Sequence, residues 1–221
     1  MLSNNIKSIQ EELTPFPHVK LIAVTKTKPI EVLLEAYQCG LREFGENKVQ
    51  EMTTKYETLP KDIRWHLIGH LQSNKVKYIA SFVSMIHSID SLKLLQEVDK
   101  QAKKNNRVID CLLQIYIAQE ETKFGLDETE LFELLASSVL VTLKNIKIKG
   151  LMGMATNTEN LTQISKEFQS LKFLFEKAKQ NFITENIDFQ EVSMGMSNDY
   201  ALAIAQGSTM IRVGSKIFGS R

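Results

Sequence analysis

Leu21-Ile-Ala-Val-Thr-Lys-Thr-Lys-Pro-Ile30 is an apolar run that closes on lysines and passes through a proline into a helical pattern. A strand alternates its side chains with period two, so Ile22, Val24 and Lys26 share one face and Leu21, Ala23 and Thr25 the other. Lys26 then ends a row of inward aliphatics. Lys28 precedes Pro29 and is biased away from helical geometry, which makes it a rim residue, while Pro29 suits the first helical position. An amine desolvated at the end of an apolar strand has a lowered pKa and can serve as a Schiff-base nucleophile. Taken alone, the stretch is better read as a lysine snorkelling from a strand end into water.

The unit recurs downstream. Residues 30–37 have helical apolar spacing, and Gly40 stands where a C-terminal cap glycine is expected. Strands are expected over 41–44, 64–68, 85–88, 108–117, 146–150, 189–192 and 210–213, with 108–117 the longest. Helices are expected over 47–56, after Gly69-His-Leu-Gln-Ser-Asn-Lys75, over 92–103 with Asp90 as its N-cap, and over 128–135, 159–179 and 200–205. A polar loop, Gln119-Glu-Glu-Thr-Lys-Phe-Gly125, follows the fifth strand. Ahead of the first strand, Leu2, Ile6, Ile9 and Leu13 form the stripe of an amphipathic helix that Pro15 and Pro17 end.

Eight strands alternating with helices mean a parallel sheet. No composition shift or linker marks a second domain, so residues 1–221 read as one unit with the helix of residues 1–14 packed outside it. The expected fold is a closed (β/α)8 TIM-type barrel, with a doubly wound open sheet as the structural alternative. In the barrel, Lys26, Asn47, Gly69, Ser88, Met152, Ser193 and Gly214 would all fall just after strands, on the face where such barrels keep their sites.

Composition narrows the function. A hydrophobic fraction of 43%, a charged fraction of 24% and a net charge of +1 provide no basic field for nucleic acid and no polybasic membrane patch. Small or soluble partners are favoured. Cys39 and Cys111 are isolated and read as small apolar residues in a reducing, cytoplasmic setting. The N-terminus lacks the apolar core of a signal peptide, and no run of 18 apolar residues spans a membrane.

The densest glycine and hydroxyl cluster is Ser193-Met-Gly-Met-Ser-Asn-Asp199 together with Arg212-Val-Gly-Ser215. Loops after strands seven and eight of a barrel often cradle a phosphate, although Gly, Ser, Asn and Asp are also what ordinary strand-to-helix turns require. His66 and His70 straddle a glycine rather than sharing a helix, so a zinc pair is not expected. Met152 and Met154 read as core filler or as the lining of a flat ligand. Glu46 and Asp90 read as capping or solvated carboxylates.

Val24-Thr-Lys-Thr-Lys-Pro29, Phe44-Gly-Glu-Asn47, Val49-Gln-Glu51, His66-Leu-Ile-Gly-His-Leu-Gln-Ser-Asn-Lys75, Ser193-Met-Gly-Met-Ser197 and the closing Gly207-Ser-Thr-Met-Ile-Arg-Val-Gly-Ser-Lys-Ile-Phe-Gly219 occur in collinear order over essentially the whole chain. Together they resemble the pyridoxal phosphate homeostasis protein family. The resemblance implies a barrel like the N-terminal domain of alanine racemase, of fold type III, binding pyridoxal 5'-phosphate (PLP). It assigns Lys26 as the Schiff-base lysine, Ser193, Ser197, Gly214 and Ser215 to the phosphate, Arg212 to the pyridine nitrogen and Asn47 to the pocket wall. Lys48 and Asn198 depart from the family pattern, which often has tyrosine and aspartate there.

The resemblance further implies a monomer that acts in vitamin B6 homeostasis as a non-catalytic reservoir or carrier, with apo PLP-dependent enzymes as partners. Racemisation needs a base on each face of the cofactor. In alanine racemases the second comes from a C-terminal β-domain that a chain ending at Arg221 is expected to lack. A weakly active PLP enzyme of alanine-racemase type is the alternative. An aldolase using Lys26 would need a positioned acid-base group for which the sequence offers no clear candidate, and a pure binding scaffold would not need chemical residues gathered on one face.

Overall fold

The computed structural model describes residues 2–119 and 125–219. Its elements run α1 (Leu2–Leu13), β1 (Lys20–Val24), α2 (Ile30–Gln38), β2 (Glu43–Glu46), α3 (Val49–Thr58), β3 (Arg64–Leu67), a 3-10 segment (Ser73–Tyr78), β4 (Met85–Ile89), α4 (Leu92–Lys104) and β5 (Ile109–Ile115). They continue with α5 (Glu128–Ala136), a 3-10 turn (Leu140–Thr142), β6 (Ile146–Gly153), α6 (Leu161–Asn181), β7 (Ile187–Met196), α7 (Tyr200–Ala205), β8 (Met210–Val213) and α8 (Ser215–Phe218). The strands are parallel and close in sequence order, with β1 paired to β8 through Ile22 opposite Arg212. The expected (β/α)8 barrel is therefore the fold.

Two cores follow from the period-two alternation. Outward-facing residues such as Ala23, Phe44, Trp65, Leu67 and Ile86 join the buried faces of the helices in one continuous apolar layer. Phe44 and Trp65 meet edge to face at 5.8 Å between ring centres. Residues aligned across neighbouring strands share a face, which sends Ile22, Glu43, Gly45, His66, Met85, Met152, Ser193, Met210 and Arg212 into the barrel interior. There Met85, Leu112, Met152 and Met210 form a small apolar cluster of their own. Helix α1 packs through buried Ile6 and Ile9, and its Asn5 side chain donates to the Ile217 carbonyl of α8 at 2.9 Å.

Several boundaries differ from the sequence reading. Lys26 lies two residues beyond β1, in a turn where Thr27 has a φ of 63°. Pro29 is the N-cap of α2 rather than its first residue, since its backbone is extended and its carbonyl accepts from Leu33. Ser91, not Asp90, caps α4: its Oγ accepts from the Leu94 N–H at 3.3 Å and itself donates to Asp90. The segment after Gly69 forms only a 3-10 helix. The longest strand is β7, not β5, because an irregularity between Ser193 and Met196 lets the Ser-Met-Gly-Met run keep pairing with β8. For the same reason Ser193, like Met152, sits inside a strand and not after one. Within the expected polar loop, residues 120–124 lie outside the described residues, as do residues 1, 220 and 221.

Candidate functional site

The Lys26 turn rests on a buried ionic platform built from β2 and α3. The Lys55 ammonium donates to the Thr25 carbonyl, Glu46 Oε1 and Glu51 Oε1, each at 2.7 Å, which uses all three of its hydrogens. Thr25 Oγ1 donates to Glu46 Oε1 at 2.5 Å, and the Thr27 N–H donates to Glu51 Oε1 at 2.6 Å. The residues on either side of Lys26 are thereby fixed, including the left-handed Thr27, a conformation that costs a β-branched residue about 1–2 kcal/mol. Burial pushes the Glu46 carboxyl up, against the opposing hydrogen bonds from Lys55 and Thr25. Its Oε2 has no partner among the described residues.

The ends of β7 and β8 form the facing wall. Gly195 has a φ of 91°, and a Cβ there would lie 2.5 Å from Cβ of Ala203, so the chain can turn into α7 only with glycine. That turn presents Ser197, whose Oγ accepts the Gly214 N–H at 3.2 Å and the Lys216 N–H at 3.5 Å. Barrel closure sets Gly214 against Val24, two residues before Lys26. Met196, Ser197, Arg212, Gly214, Ser215 and Lys26 consequently line one cavity of about 870 Å³ at the C-terminal ends of the strands. That volume is within the range of about 300–1,000 Å³ of small-molecule sites.

Arg212 forms the floor of this cavity. Its guanidinium donates to the Ser193 carbonyl at 2.8 Å, to Ser193 Oγ at 2.6 Å and to the Gly153 carbonyl at 3.0 Å. Burial lowers its pKa to about 10, with Asp199 working the other way, so it remains a cation at neutral pH. Beneath it, His87 Nδ1 lies 3.0 Å from Ser193 Oγ, His87 Nε2 lies 2.9 Å from His66 Nδ1, and His66 Nε2 lies 2.7 Å from Glu43 Oε2.

Of the residues singled out in the sequence, the structure brings Lys26, Ser197, Arg212, Gly214 and Ser215 to one cavity wall. Two others lie elsewhere. Ser193 is fully buried below Arg212, and Asn47 stands at the end of β2 with its backbone seated on Gly69, outside the residues lining this cavity. The sequence reading missed the Lys55 platform, the Thr156-Asn-Thr158 stretch that also lines the cavity, and the pairing of His66 with His87, whose rings meet edge to face. A signal for the last was present: His66 and His87 each occupy the inward register of neighbouring strands.

The donor set suits a phosphorylated aldehyde. An amine, the hydroxyls and backbone N–H groups at the β7 and β8 ends, and a fixed cation all line the same cavity. The family model of the alanine racemase N-terminal domain matches residues 1–221. A pyridoxal phosphate homeostasis protein of Aquifex aeolicus is 41% identical over 203 residues, 91% of this chain and 87% of that protein. The structure of PipY from Synechococcus elongatus PCC7942 with PLP bound superposes with a TM-score of 0.87 at 35% identity, covering 99% of this chain and 100% of that one. An alanine racemase of Clostridium difficile shares the fold at a TM-score of 0.74 and 14% identity, and the chain spans 56% of it.

Proposed function

This chain belongs to the pyridoxal phosphate homeostasis proteins, a family within the alanine racemase N-terminal domain group, and from that premise we propose that it binds PLP and serves intracellular PLP homeostasis. The cofactor is held as a Schiff base on Lys26, and the protein works in the cytoplasm as a monomeric reservoir or carrier rather than as an enzyme. The observation that carries this reading is the convergence of Lys26, Ser197, Gly214, Ser215 and Arg212 on one cavity across the β1–β8 seam.

Each residue has a role in this reading. Ser197, Ser215 and the amides at Gly214 hold the phosphate, with buried Ser193 acting only through Arg212. Arg212 faces the ring nitrogen, where a cation disfavours a second proton and weakens the ring as an electron sink. Asn47 supports the pocket from the end of β2. PLP, when bound, supplies the reactive carbonyl and the conjugated ring. Among the described residues that line the cavity, the groups able to carry a proton beside Lys26 are Lys28, Glu159 and Asp199, and no tyrosine, histidine or cysteine is among them. No helix among the described residues is long and apolar enough to cross a membrane.

The test is to load the full-length protein with PLP, reduce with borohydride and map the adduct. It should fall on Lys26. Holo-protein is then mixed with an apo PLP-dependent enzyme and, separately, with a panel of L-amino acids. Cofactor transfer without sustained turnover is expected. Turnover that disappears in Lys26→Ala would make the protein an enzyme, and failure to take up PLP would end the reading altogether.

A further inference from the structure

Glu43, His66, His87, Ser193 and Arg212 form an unbroken line of hydrogen bonds of 2.7, 2.9, 3.0 and 2.6 Å through the barrel interior. His66, His87, Ser193 and Arg212 are all at least nine-tenths buried, and none of the three interior links is explained by the apolar core around them. The line joins a cation on the cavity floor to a carboxylate at the start of β2, with Arg64 and Lys20 as the charged neighbours of that carboxylate.

The chemistry of the end groups decides where every proton sits. Arginine only donates and an ionised carboxylate only accepts. Ser193 Oγ therefore accepts from Arg212, and His66 carries its proton on Nε2, toward Glu43. With both rings neutral, His66 Nδ1 accepts from His87 Nε2–H, and His87 Nδ1 accepts from Ser193 Oγ–H. All donors then point from Arg212 toward Glu43. The reverse polarity would put a proton on His87 Nδ1 and leave the Ser193 hydroxyl hydrogen without an acceptor among the partners the structure gives it, which is costly for a buried group. Burial, and then the nearby positive charges of Arg212 and Lys20, also hold His87 neutral.

We infer that His66 and His87 are positioning residues of the cofactor site: with Ser193 they form a one-way hydrogen-bond chain that ties the Arg212 guanidinium to Glu43 and so sets how Arg212 is presented to a pyridine-type ring nitrogen. The inference rests on the PLP-binding reading for its ligand, not for its geometry. Backbone carbonyls of Ser193 and Gly153 hold two corners of the guanidinium, and the Ser193 hydroxyl, aligned by His87, fixes the third contact. A polarised chain of this kind strengthens each of its links.

The primary test is nitrogen-15 NMR of the full-length protein, with and without added PLP. Both rings should be neutral Nε2–H tautomers, with a through-hydrogen-bond coupling between His87 Nε2 and His66 Nδ1. An Nδ1–H tautomer at His87, or an imidazolium at His66 near neutral pH, overturns the chain. The second test compares His87→Phe with His87→Gln, whose amide can still accept from Ser193 and donate to His66. His87→Phe should weaken PLP binding about tenfold, the worth of one hydrogen bond to a charged group, and change the visible spectrum of the bound cofactor. His87→Gln should recover most of both. A folded His87→Phe protein with wild-type affinity and spectrum overturns the positioning role. Should His87→Phe fail to fold, the tautomers and His87→Gln decide. If the wild-type protein takes up no PLP, the functional reading falls while the tautomers still judge the chain.

Discussion

Lys55 reaches across from α3 to hydrogen-bond the carbonyl of Thr25 at 2.7 Å, so the residue before Lys26 is held by a helix that does not itself line the cavity. Replacing Lys55 with methionine keeps the length of the side chain but leaves Glu46 buried without its cation. The expected loss is about 3–5 kcal/mol, as for one partner of a buried ion pair. Urea denaturation measures it, and adding Glu46→Gln should restore part of the loss by neutralising the stranded carboxylate. A Lys55→Met protein as stable as wild type would show that the platform contributes nothing.

Gly195→Ala places a methyl group 2.5 Å from Cβ of Ala203 at a φ of 91°. Backbone strain and overlap together should cost more than about 2 kcal/mol. The midpoint of thermal unfolding should drop accordingly. Because Ser197 lies two residues further on, PLP affinity should fall as well.

Ser197→Ala separates phosphate recognition from ring recognition. Removal of one hydroxyl from a charged hydrogen-bond set should weaken PLP binding by about tenfold. Pyridoxal, which has the ring and aldehyde but no phosphate, should bind the variant and the wild type alike. Equal losses for both ligands would mean that Ser197 acts only by shaping the turn.

Acid sensitivity follows from His87. Its pKa lies well below the ordinary 6.5, because it is buried and faces positive charge. The unfolded chain takes up a proton as pH falls through 6.5 that the folded protein refuses, so stability declines below that value. For an unfolded pKa of 6.5, one such group can lose at most about 2 kcal/mol by pH 5. Glu43 acts in a lower window. Burial raises it, but the His66 hydrogen bond and the charges of Arg64 and Lys20 bring it below 4.5, so its contribution is present above 4.5 and is lost as pH falls through its folded value. Denaturant midpoints at neutral pH and near pH 5 should converge in His87→Gln relative to wild type. An unchanged pH slope would rule out a neutral His87.

The barrel was legible because its outer layer is written in a period that needs no partner to be read: apolar alternation in short strands, helical spacing between them, glycine at the turns. Lys26, Ser197, Gly214 and Ser215 were legible for a related reason, since each stands beside the end of an element. What escaped is what depends on two distant elements at once. Lys55 reads as one more charge on a helix until β2 brings Glu46 beneath it. Ser193 reads as a loop residue until strand pairing carries β7 past it and turns its hydroxyl toward Arg212. His66 and His87 are 21 positions apart and become a pair only through the β3–β4 register.

The pairing of β1 with β8 also sets a timetable for the ribosome. A nascent chain that has emerged through β7 carries Lys26 and its platform, yet it possesses neither Arg212 nor Gly214, and β1 still has an unpaired edge. Contacts this far apart in sequence form late, and open strand edges invite association with other chains. Cofactor uptake is therefore an event of the finished polypeptide. Stalled or truncated translation products should accumulate as ligand-free, aggregation-prone species that added PLP cannot rescue.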